Sequence, residues 1–490
     1  MASLPDLTKQ LKINTPGDEG AAGDPLPIVT RDDADFSEAV WGRVFNYRRD
    51  TTRTPRAVVR ATSAAHVRAA VELARREGCR VSVRSGGHSW AAWSVRQDAV
   101  LIDLEGLKGS RGNDDDGSGG VSYDDGTKIV SCPPSTIGRD LNGFLSKKGR
   151  MFAGGHCPDV GLGGFLLQGG MGWNCKNWGW ACESVIGIDV VTADAKEVHC
   201  SAVENADLFW AARGAGPGFP AVVTRFHLLT RPLPELYNCV YVYPQSMYRT
   251  VLQWVVDTAP TADPNTEIVC VSRPAPDGNG VQIITGFTSF QPSKQHAEKA
   301  LQPIHDSRPK NAIVEVFCEP TTLQREYTSQ DEANPQAHRY CSENAYIADD
   351  ADVPTVLERA FLTPPTQKSF ALYFAMSPTS RRPGPDMALS MQSDHYFALY
   401  TVWEDAADDA RCTAWVHDIM REVERHSTGS YLGDADFQHR RTKFWSKEAG
   451  ERLAGIRSKW DPDGRICGYL DAGDKSGVNG LKNEFEWKPE

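Results

Sequence analysis

The chain of 490 residues is long enough for two to four domains of ordinary size, and 40% of its residues are hydrophobic, enough for a buried core in each. Asp and Glu number 64 against 53 Lys and Arg, and this net charge of −11 argues against a nucleic-acid partner because no overall positive field attracts phosphates. Mean hydropathy is −0.43, and no apolar run approaches the roughly 20 residues of a bilayer span, so no membrane partner is expected.

The N-terminal segment is rich in Pro, Gly and Asp, which predicts a flexible arm over residues 1–35. It lacks the basic stretch and apolar core of a secretory signal, so we expect a cytoplasmic protein, or a secreted one if a leader was trimmed. The 12 cysteines show no CxxC pair and no zinc-type spacing with histidine. Most are therefore expected to be buried thiols, and no metal site is predicted.

A strand, a helix and a second strand are predicted near the start of the ordered chain, at 57–60, 63–77 and 80–84. An acidic, glycine-rich surface loop at 111–120 and a helix at 135–148 follow. Two short β-branched runs, 187–192 and 196–200, predict a hairpin. The second strand ends in a glycine turn, where backbone N–H groups are available to a ligand.

Longer alternating runs begin after residue 233 and indicate a second domain. Strands are predicted at 267–273, 280–290, 312–317, 369–376 and 395–403, with helices at 292–304 and 406–425. This pattern is typical of an α+β fold, in which helices cover one face of a large antiparallel sheet. The predicted divisions are 36–235, 236–443 and a C-terminal segment, 444–490, that returns to the first domain.

Two glycine-rich blocks carry the main functional signal. The first is Arg84-Ser85-Gly86-Gly87-His88-Ser89-Trp90, and the second runs from Gly154 through Cys157 to Gly172. Glycine at this density indicates backbone that needs positive φ or lies close to a bulky ligand. Each block contributes a nucleophilic side chain, His88 or Cys157.

These blocks resemble the berberine-bridge-enzyme-like FAD-linked oxidases of the vanillyl-alcohol-oxidase superfamily. The resemblance extends to the segment 207–216 (DLFWAARGAG) and to Arg452-Leu453 with Trp460-Asp461-Pro462 near the C-terminus. It implies a two-part PCMH-type FAD-binding domain over 36–235, completed by the C-terminal segment, and a substrate-binding domain over 236–443.

The resemblance also implies a bicovalently bound FAD. His88 would bond through a ring nitrogen to the 8α-methyl group of the flavin, and Cys157 through sulfur to its C6. Backbone from Ser85 to Ser89 would hold the pyrophosphate. The full set of expected cofactor-binding residues is Arg84, Ser85, Gly86, Gly87, His88, Ser89, Gly155, Cys157, Val160, Gly161, Gly163, Gly164, Gly170, Gly172 and Ile188.

Val160 stands three residues after Cys157, where the family controls access of O₂ to the flavin. Valine there implies an oxidase: an alcohol or related C–H substrate gives a hydride to flavin N5, and O₂ is reduced to H₂O₂. The expected partners are thus a small-molecule substrate and O₂. Neither the substrate nor the oligomeric state can be predicted.

The family's catalytic base is missing from this sequence. Relatives often carry Y-x-N-Y-x-D, and here Tyr431-Leu432-Gly433-Asp434-Ala435-Asp436 places Asp434 at the second tyrosine. A carboxylate can act as a base if burial raises its pKa, but Asp434 could also be an ordinary turn residue. On the strand 395–403, alternation puts Tyr396 and Tyr400 on one face, where either is a candidate base or hydrogen-bond donor.

Two alternatives therefore stay open beside the alcohol oxidase. One is a natural-product tailoring enzyme that catalyses oxidative cyclisation or isomerisation on the same flavin fold. The other is a non-catalytic flavin-binding relative.

Overall fold

The computed structural model describes residues 25–109, 119–436, 439–469 and 482–488. Most of the expected N-terminal arm and of the predicted 111–120 loop lies outside the described residues. The end of the arm is a correction to the sequence prediction, because a strand at Ile28–Thr30 already pairs antiparallel with Ala57–Arg60. Val29 is buried in that pairing, so order begins earlier than Phe36.

The first sheet has four strands in the order β1-β2-β4-β3, with β4 between and parallel to β2 and β3. Its strands are β1 (Ile28–Thr30), β2 (Ala57–Arg60), β3 (Val81–Arg84) and β4 (Val100–Asp103), and its helices are α1 (Phe36–Trp41) and α2 (Ala64–Arg76). The Ser63 hydroxyl accepts a hydrogen bond from the His66 N–H and begins α2. The apolar stripe of α2, which includes Val67 and Val71, is fully buried against the sheet.

The second sheet is antiparallel, with five strands in the order β5-β6-β10-β8-β9. Its strands are β5 (Ser122–Asp124), β6 (Ile129–Cys132), β8 (Val185–Thr192), β9 (Glu197–Ser201) and β10 (Ala221–Leu229). The predicted hairpin is the pair β8 and β9. A separate two-stranded pair joins β7 (Arg150–Met151) to β11 (Arg231–Pro232). The helices in this part are α3 (Gly138–Ser146), α4 (Leu162–Leu167), α5 (Cys175–Trp178) and α6 (Ala206–Ala211).

The third sheet is an antiparallel array of eight strands and confirms the α+β prediction. Its order is β15-β12-β14-β13-β17-β18-β16-β19. The bounds are β12 (Glu235–Pro244), β13 (Thr266–Pro274), β14 (Val281–Gln291), β15 (Val314–Thr321), β16 (Arg339–Ile347), β17 (Phe370–Ala375), β18 (His395–Trp403) and β19 (Ser427–Gly429). The sequence prediction missed β12 and β16.

Helices cover one face of this sheet. They are α7 (Tyr248–Thr258), α8 (Lys294–Ser307), α10 (Val353–Leu362) and α11 (Asp409–Val423), while α9 (Leu323–Ala333) follows β15. Strand alternation divides β18 as predicted: Phe397 and Leu399 pack under the helices, and Tyr396 and Ala398 belong to the core on the opposite side. The opposite face is therefore free to form the wall of a site.

The C-terminal segment returns to the first sheet. Helix α12 (Lys447–Trp460) ends before the turn at 461–464, and Ile466 then forms a parallel bridge with Val81 at the edge of that sheet. The Gly464 carbonyl accepts a hydrogen bond from Arg80, 384 residues earlier. No helix in the described ranges has the length and apolar character to cross a bilayer.

Candidate active site

A cavity of about 450 Å³ lies between the glycine-rich segments and the uncovered face of the eight-stranded sheet. One wall comes from the turn after β3 and from the segment around α4. The opposite wall comes from β12, β13, β14, β17 and β18, together with residues 431–435. The expected cofactor residues that line it are Arg84, Ser85, Gly86, Gly87, His88, Ser89, Gly155, Cys157, Val160, Gly161, Gly163 and Gly164.

The two glycine blocks touch backbone to backbone. A Cβ atom on Gly161 would lie 2.6 Å from the Gly86 nitrogen, and one on Gly86 would lie 2.5 Å from the Gly161 nitrogen. Gly87 has φ +83°, and a Cβ there would meet the Arg43 carbonyl oxygen at 1.8 Å. The glycines are needed because side chains would separate the loops that present His88 and Cys157.

Backbone N–H groups remain free in the turn after β3. The described part of the chain offers no hydrogen-bond partner to the N–H groups of Gly86, Gly87, His88 and Ser89. Such groups need an acceptor when they are shielded from water, and consecutive N–H groups suit an anion. This observation fits the pyrophosphate of FAD.

Arg84 also lines the cavity, but its charge is already paired. Its guanidinium lies 2.6 Å from an Asp103 carboxylate oxygen and donates to the carbonyls of Ala39 and Val40 at 2.5 Å. Arg84 therefore anchors the end of β3 and has little capacity left for a phosphate.

Three expected cofactor residues do not line the cavity. Gly170 lies behind the wall, where its N–H donates to the Tyr431 hydroxyl. Gly172 packs against the Ala153 carbonyl, 2.1 Å from where a Cβ would stand. Ile188 is fully buried in the core beneath β8 and β10. Gly170 and Gly172 support the wall, and strand alternation turns Ile188 away from it.

His88 is held in place by two contacts. Its ring stacks on Phe45 with centroids 4.5 Å apart, and Nε2 lies 3.2 Å from an Asp159 carboxylate oxygen. Although burial acts to raise it, the pKa of Asp159 is lowered by its hydrogen bond and charge interaction with His88. The two contacts fix the orientation of the imidazole ring at the cavity wall.

Cys157 is the one partly exposed cysteine among the 12; the other eleven are buried, as expected. The Asn334 amide donates to its sulfur at 3.8 Å. Burial, followed by the charges of Asp159, Asp434 and Asp331, raises the pKa of the Cys157 thiol to about 12. The reactive thiolate forms here only when another group takes the proton.

The three candidate catalytic residues, Asp434, Tyr396 and Tyr400, form one cluster. The Tyr396 hydroxyl donates to Asp434 at 2.6 Å, Tyr400 interacts with the same carboxyl group, and the Trp90 indole N–H lies 3.4 Å away. Burial raises the pKa of Asp434, and these hydrogen bonds oppose the shift. Desolvation also raises the pKa of Tyr396 and Tyr400 well above 10, so the carboxylate is the stronger candidate base.

Sequence analysis missed several cavity residues. Tyr431 accepts hydrogen bonds from the N–H groups of Gly170 and Met171 and so joins the end of the sheet domain to the glycine segment. His156 is bonded to Glu267 at 2.9 Å and packs on Trp173. A histidine next to Cys157 was a visible signal, but its partner is 111 residues away in sequence.

The chain is similar to known FAD-binding proteins. A family model described as "FAD binding domain" matches residues 55–201. The FAD-linked oxidoreductase janO of Penicillium janthinellum is 37% identical over 452 residues, which cover 91% of this chain and 98% of that protein.

Solved structures show the same fold at low identity. Physcomitrella patens BBE-like 1 superposes with a TM-score of 0.77 over all of both chains at 17% identity. Glucooligosaccharide oxidase from Acremonium strictum, described with a 6-S-cysteinyl, 8α-N1-histidyl FAD, gives a TM-score of 0.75 at 20% identity over 95% of this chain and 98% of that one. The chain belongs to the FAD-linked oxidoreductases, and it shares the fold of the berberine-bridge-enzyme-like proteins.

Proposed function

We propose that this oxidoreductase is an oxidase that carries FAD on two covalent bonds, through His88 and Cys157, with Asp434 as the catalytic base. The observation that supports it most strongly is that His88 and Cys157, from two separate glycine loops, line the same cavity as the Asp434 cluster. The histidyl and cysteinyl FAD described for glucooligosaccharide oxidase is consistent with it.

A bound FAD would supply the redox chemistry, the uptake of a hydride from the substrate and the reduction of O₂ to H₂O₂. The protein's own groups supply binding and proton transfer. The free N–H groups at Gly86 to Ser89 would hold the pyrophosphate, and Val160 lies in the cavity wall.

Asp434 takes the proton of a substrate hydroxyl or related group. The Tyr396 hydroxyl donates to one oxygen of its carboxylate at 2.6 Å, and the Trp90 indole N–H lies 3.4 Å from the other, so both oxygens are oriented when the substrate approaches. Because burial raises the pKa of Asp434, the group binds a proton more strongly than an exposed aspartate. An alcohol substrate would make the enzyme an oxidase acting on a CH–OH group.

Acid precipitation tests the covalent bonds directly. We expect the yellow colour to stay with the denatured protein in wild type, in His88→Ala and in Cys157→Ser, and to be lost only in the double variant. His199→Ala and Cys79→Ser are matched controls, since neither residue lines the cavity. Colour entirely in the supernatant of wild type would remove the bicovalent proposal.

A second candidate, a tailoring enzyme for natural products, is favoured by one observation. Asp434 replaces the family's tyrosine, and the sheet wall beside it is apolar and aromatic, with Val269, Leu372 and Phe374. Such a wall suits a polycyclic substrate better than a sugar. Product formation without an equal amount of peroxide distinguishes ring formation or isomerisation from simple oxidation, and a flavin that no substrate reduces identifies a non-catalytic relative.

A further inference from the structure

Arg273 lies at the end of β13 with its guanidinium at the cavity wall formed by the sheet. The side chain is half-buried and rests on the Phe370 ring, 4.6 Å from its centroid. Desolvation by burial lowers the pKa of Arg273 and is the only influence found on it. No carboxylate in the part of the chain that the structure describes compensates for the loss of water around this cation.

Arg273 belongs to a row that ends at the proposed base. Strand β17 pairs with β13 on one side and with β18 on the other, and Phe370 is opposite Tyr400. The Phe370 and Tyr400 rings stack with centroids 4.7 Å apart, and Tyr400 is hydrogen-bonded to Asp434. The row therefore leads from a cation, across two aromatic rings, to the reaction centre.

The other charged side chains at the cavity already have partners. Asp159 contacts His88, Glu267 contacts His156, Asp331 pairs with Arg139 and Glu326 accepts from Asn238. Arg84 pairs with Asp103, as described above.

Among the described residues, nothing forms a hydrogen bond or ion pair with the Arg273 guanidinium. A half-buried guanidinium without an acceptor is unfavourable unless a ligand supplies one.

We propose that Arg273 binds a carboxylate on the substrate, at the end opposite the carbon that is oxidised. This inference rests on the proposed function of the same cavity. Neighbouring strands are about 4.8 Å apart, and β17 lies between β13 and β18. The substrate carboxylate at β13 and the reacting carbon at β18 are therefore about 10 Å apart. The substrate class is thus a flat, largely apolar molecule with a carboxylate about 10 Å from its reacting carbon.

The apolar middle of the wall fits such a molecule. Val271 and Leu372 are paired across β13 and β17, next to the row of Arg273, and both line the cavity. Their side chains form no hydrogen bonds, so they give the wall an apolar surface beside the row that leads from Arg273 to Asp434. A planar hydrocarbon body gains free energy by covering this surface, and bidentate pairing with Arg273 fixes its direction.

Calorimetric titration of the holoenzyme with two probes tests the proposal. Biphenyl-4-carboxylate and the neutral biphenyl-4-carboxamide share one shape and differ in charge. Because a charge-assisted hydrogen bond is stronger than a neutral one, we expect wild type to prefer the carboxylate by about 10–100-fold. Arg273→Leu should remove that preference and leave carboxamide binding within about threefold of wild type.

Two further variants complete the design. Arg273→Lys keeps the positive charge but not the bidentate geometry, so it should retain part of the preference. Arg231→Leu is the matched control, because Arg231 also rests on an aromatic ring, Trp178 at 5.0 Å, but does not line the cavity. It should retain the full preference.

Equal affinity of wild type for the two probes would overturn the proposal and would leave Arg273 as a packing partner of Phe370. This comparison uses only the wild-type protein, so it does not depend on the folding of a variant. Unchanged carboxylate preference in Arg273→Leu would overturn it as well. Acid precipitation and peroxide assays on the same samples report separately on the proposed function. A carboxylate preference with no covalent flavin would refute the bicovalent oxidase and leave the binding assignment intact.

Discussion

Replacing Gly161 by Ala tests whether direct contact between the two glycine loops positions the flavin-binding side chains. The added Cβ would stand 2.6 Å from the Gly86 nitrogen and 2.8 Å from its Cα. Ordinary contacts of a Cβ lie at about 3.4–4 Å, so the loops must separate by about 1 Å. The Gly161 φ is −71°, so alanine adds no torsional strain and the effect is steric alone.

The expected loss of stability in Gly161→Ala follows from overpacking. Inserting one methyl group into a tightly packed site destabilises a protein by about 1–3 kcal/mol. Because Gly86 and Gly161 belong to the loops that carry His88 and Cys157, the same shift moves both side chains relative to one bound flavin. A displacement of about 1 Å can reduce a reaction rate about 100-fold. We therefore expect Gly161→Ala to lower both the apparent Tm and the fraction of covalently bound FAD.

Gly143→Ala is the control for this prediction. Gly143 lies in α3, away from the cavity, and a Cβ there would meet no protein atom within 4 Å. Alanine in a helix is favoured over glycine by about 0.5–1 kcal/mol, so the Tm should hold or rise. The assays are thermal unfolding and flavin absorbance of the acid-precipitated protein. Equal Tm and equal covalent FAD in the two variants would refute the steric argument.

Three further predictions concern ionisable groups. Asp434→Asn should slow anaerobic flavin reduction about 10²–10⁴-fold. In wild type, the rate of flavin reduction should rise with pH as Asp434 loses its proton, at a pKa above 3.8, and the variant should lack this rise. A rise that persists in Asp434→Asn would exclude Asp434 as the base. Lys176 is fully buried, and its amine has no hydrogen-bond partner among the residues that the structure describes. Burial lowers the pKa of Lys176 to about 8, so Lys176→Met should raise the free energy of unfolding at pH 7 by about 1–3 kcal/mol. The folded wild type releases this proton near pH 8 and the unfolded chain near 10.5, so the gain should shrink between those values; a constant gain in denaturant titrations would contradict this origin. Asp159→Asn removes the carboxylate 3.2 Å from His88. In a Cys157→Ser background, it should reduce the yellow colour that stays with the acid-precipitated protein. Unchanged colour would show that Asp159 does not assist formation of the bond between His88 and FAD.

Local sequence patterns predicted the FAD-binding half well. Alternation and helical periodicity located β2, α2 and β3, and the glycine blocks located the loops at Gly86 and Gly161 that meet in the fold. These features are encoded over a few residues at a time. Ile188 failed as a cofactor residue because β-strand alternation, not proximity to Gly187, decides which side chains reach a cavity.

The substrate side was harder to predict because its contacts join distant strands. Tyr396, Tyr400 and Asp434 were separate candidates in the sequence, and only the pairing of β18 with its neighbours shows that they share one hydrogen-bonded cluster. The sequence could not predict that the Arg273 guanidinium has no acceptor among the described residues, because that is visible only when its neighbours in the fold are known. The charge pairs of the cavity span 71 residues for His88 and Asp159 and 111 for His156 and Glu267.

The return of the C-terminal segment to the first sheet has a consequence for biosynthesis. Val81 gains its last sheet neighbour from Ile466, and Ile466 also lines the cavity. At about 5–20 residues per second, a ribosome needs roughly 20–80 s to make the 384 residues between Arg80 and Gly464. The pocket therefore stays open on one side for most of translation. A chain that ends within α12 lacks Ile466 and therefore has an incomplete cavity wall.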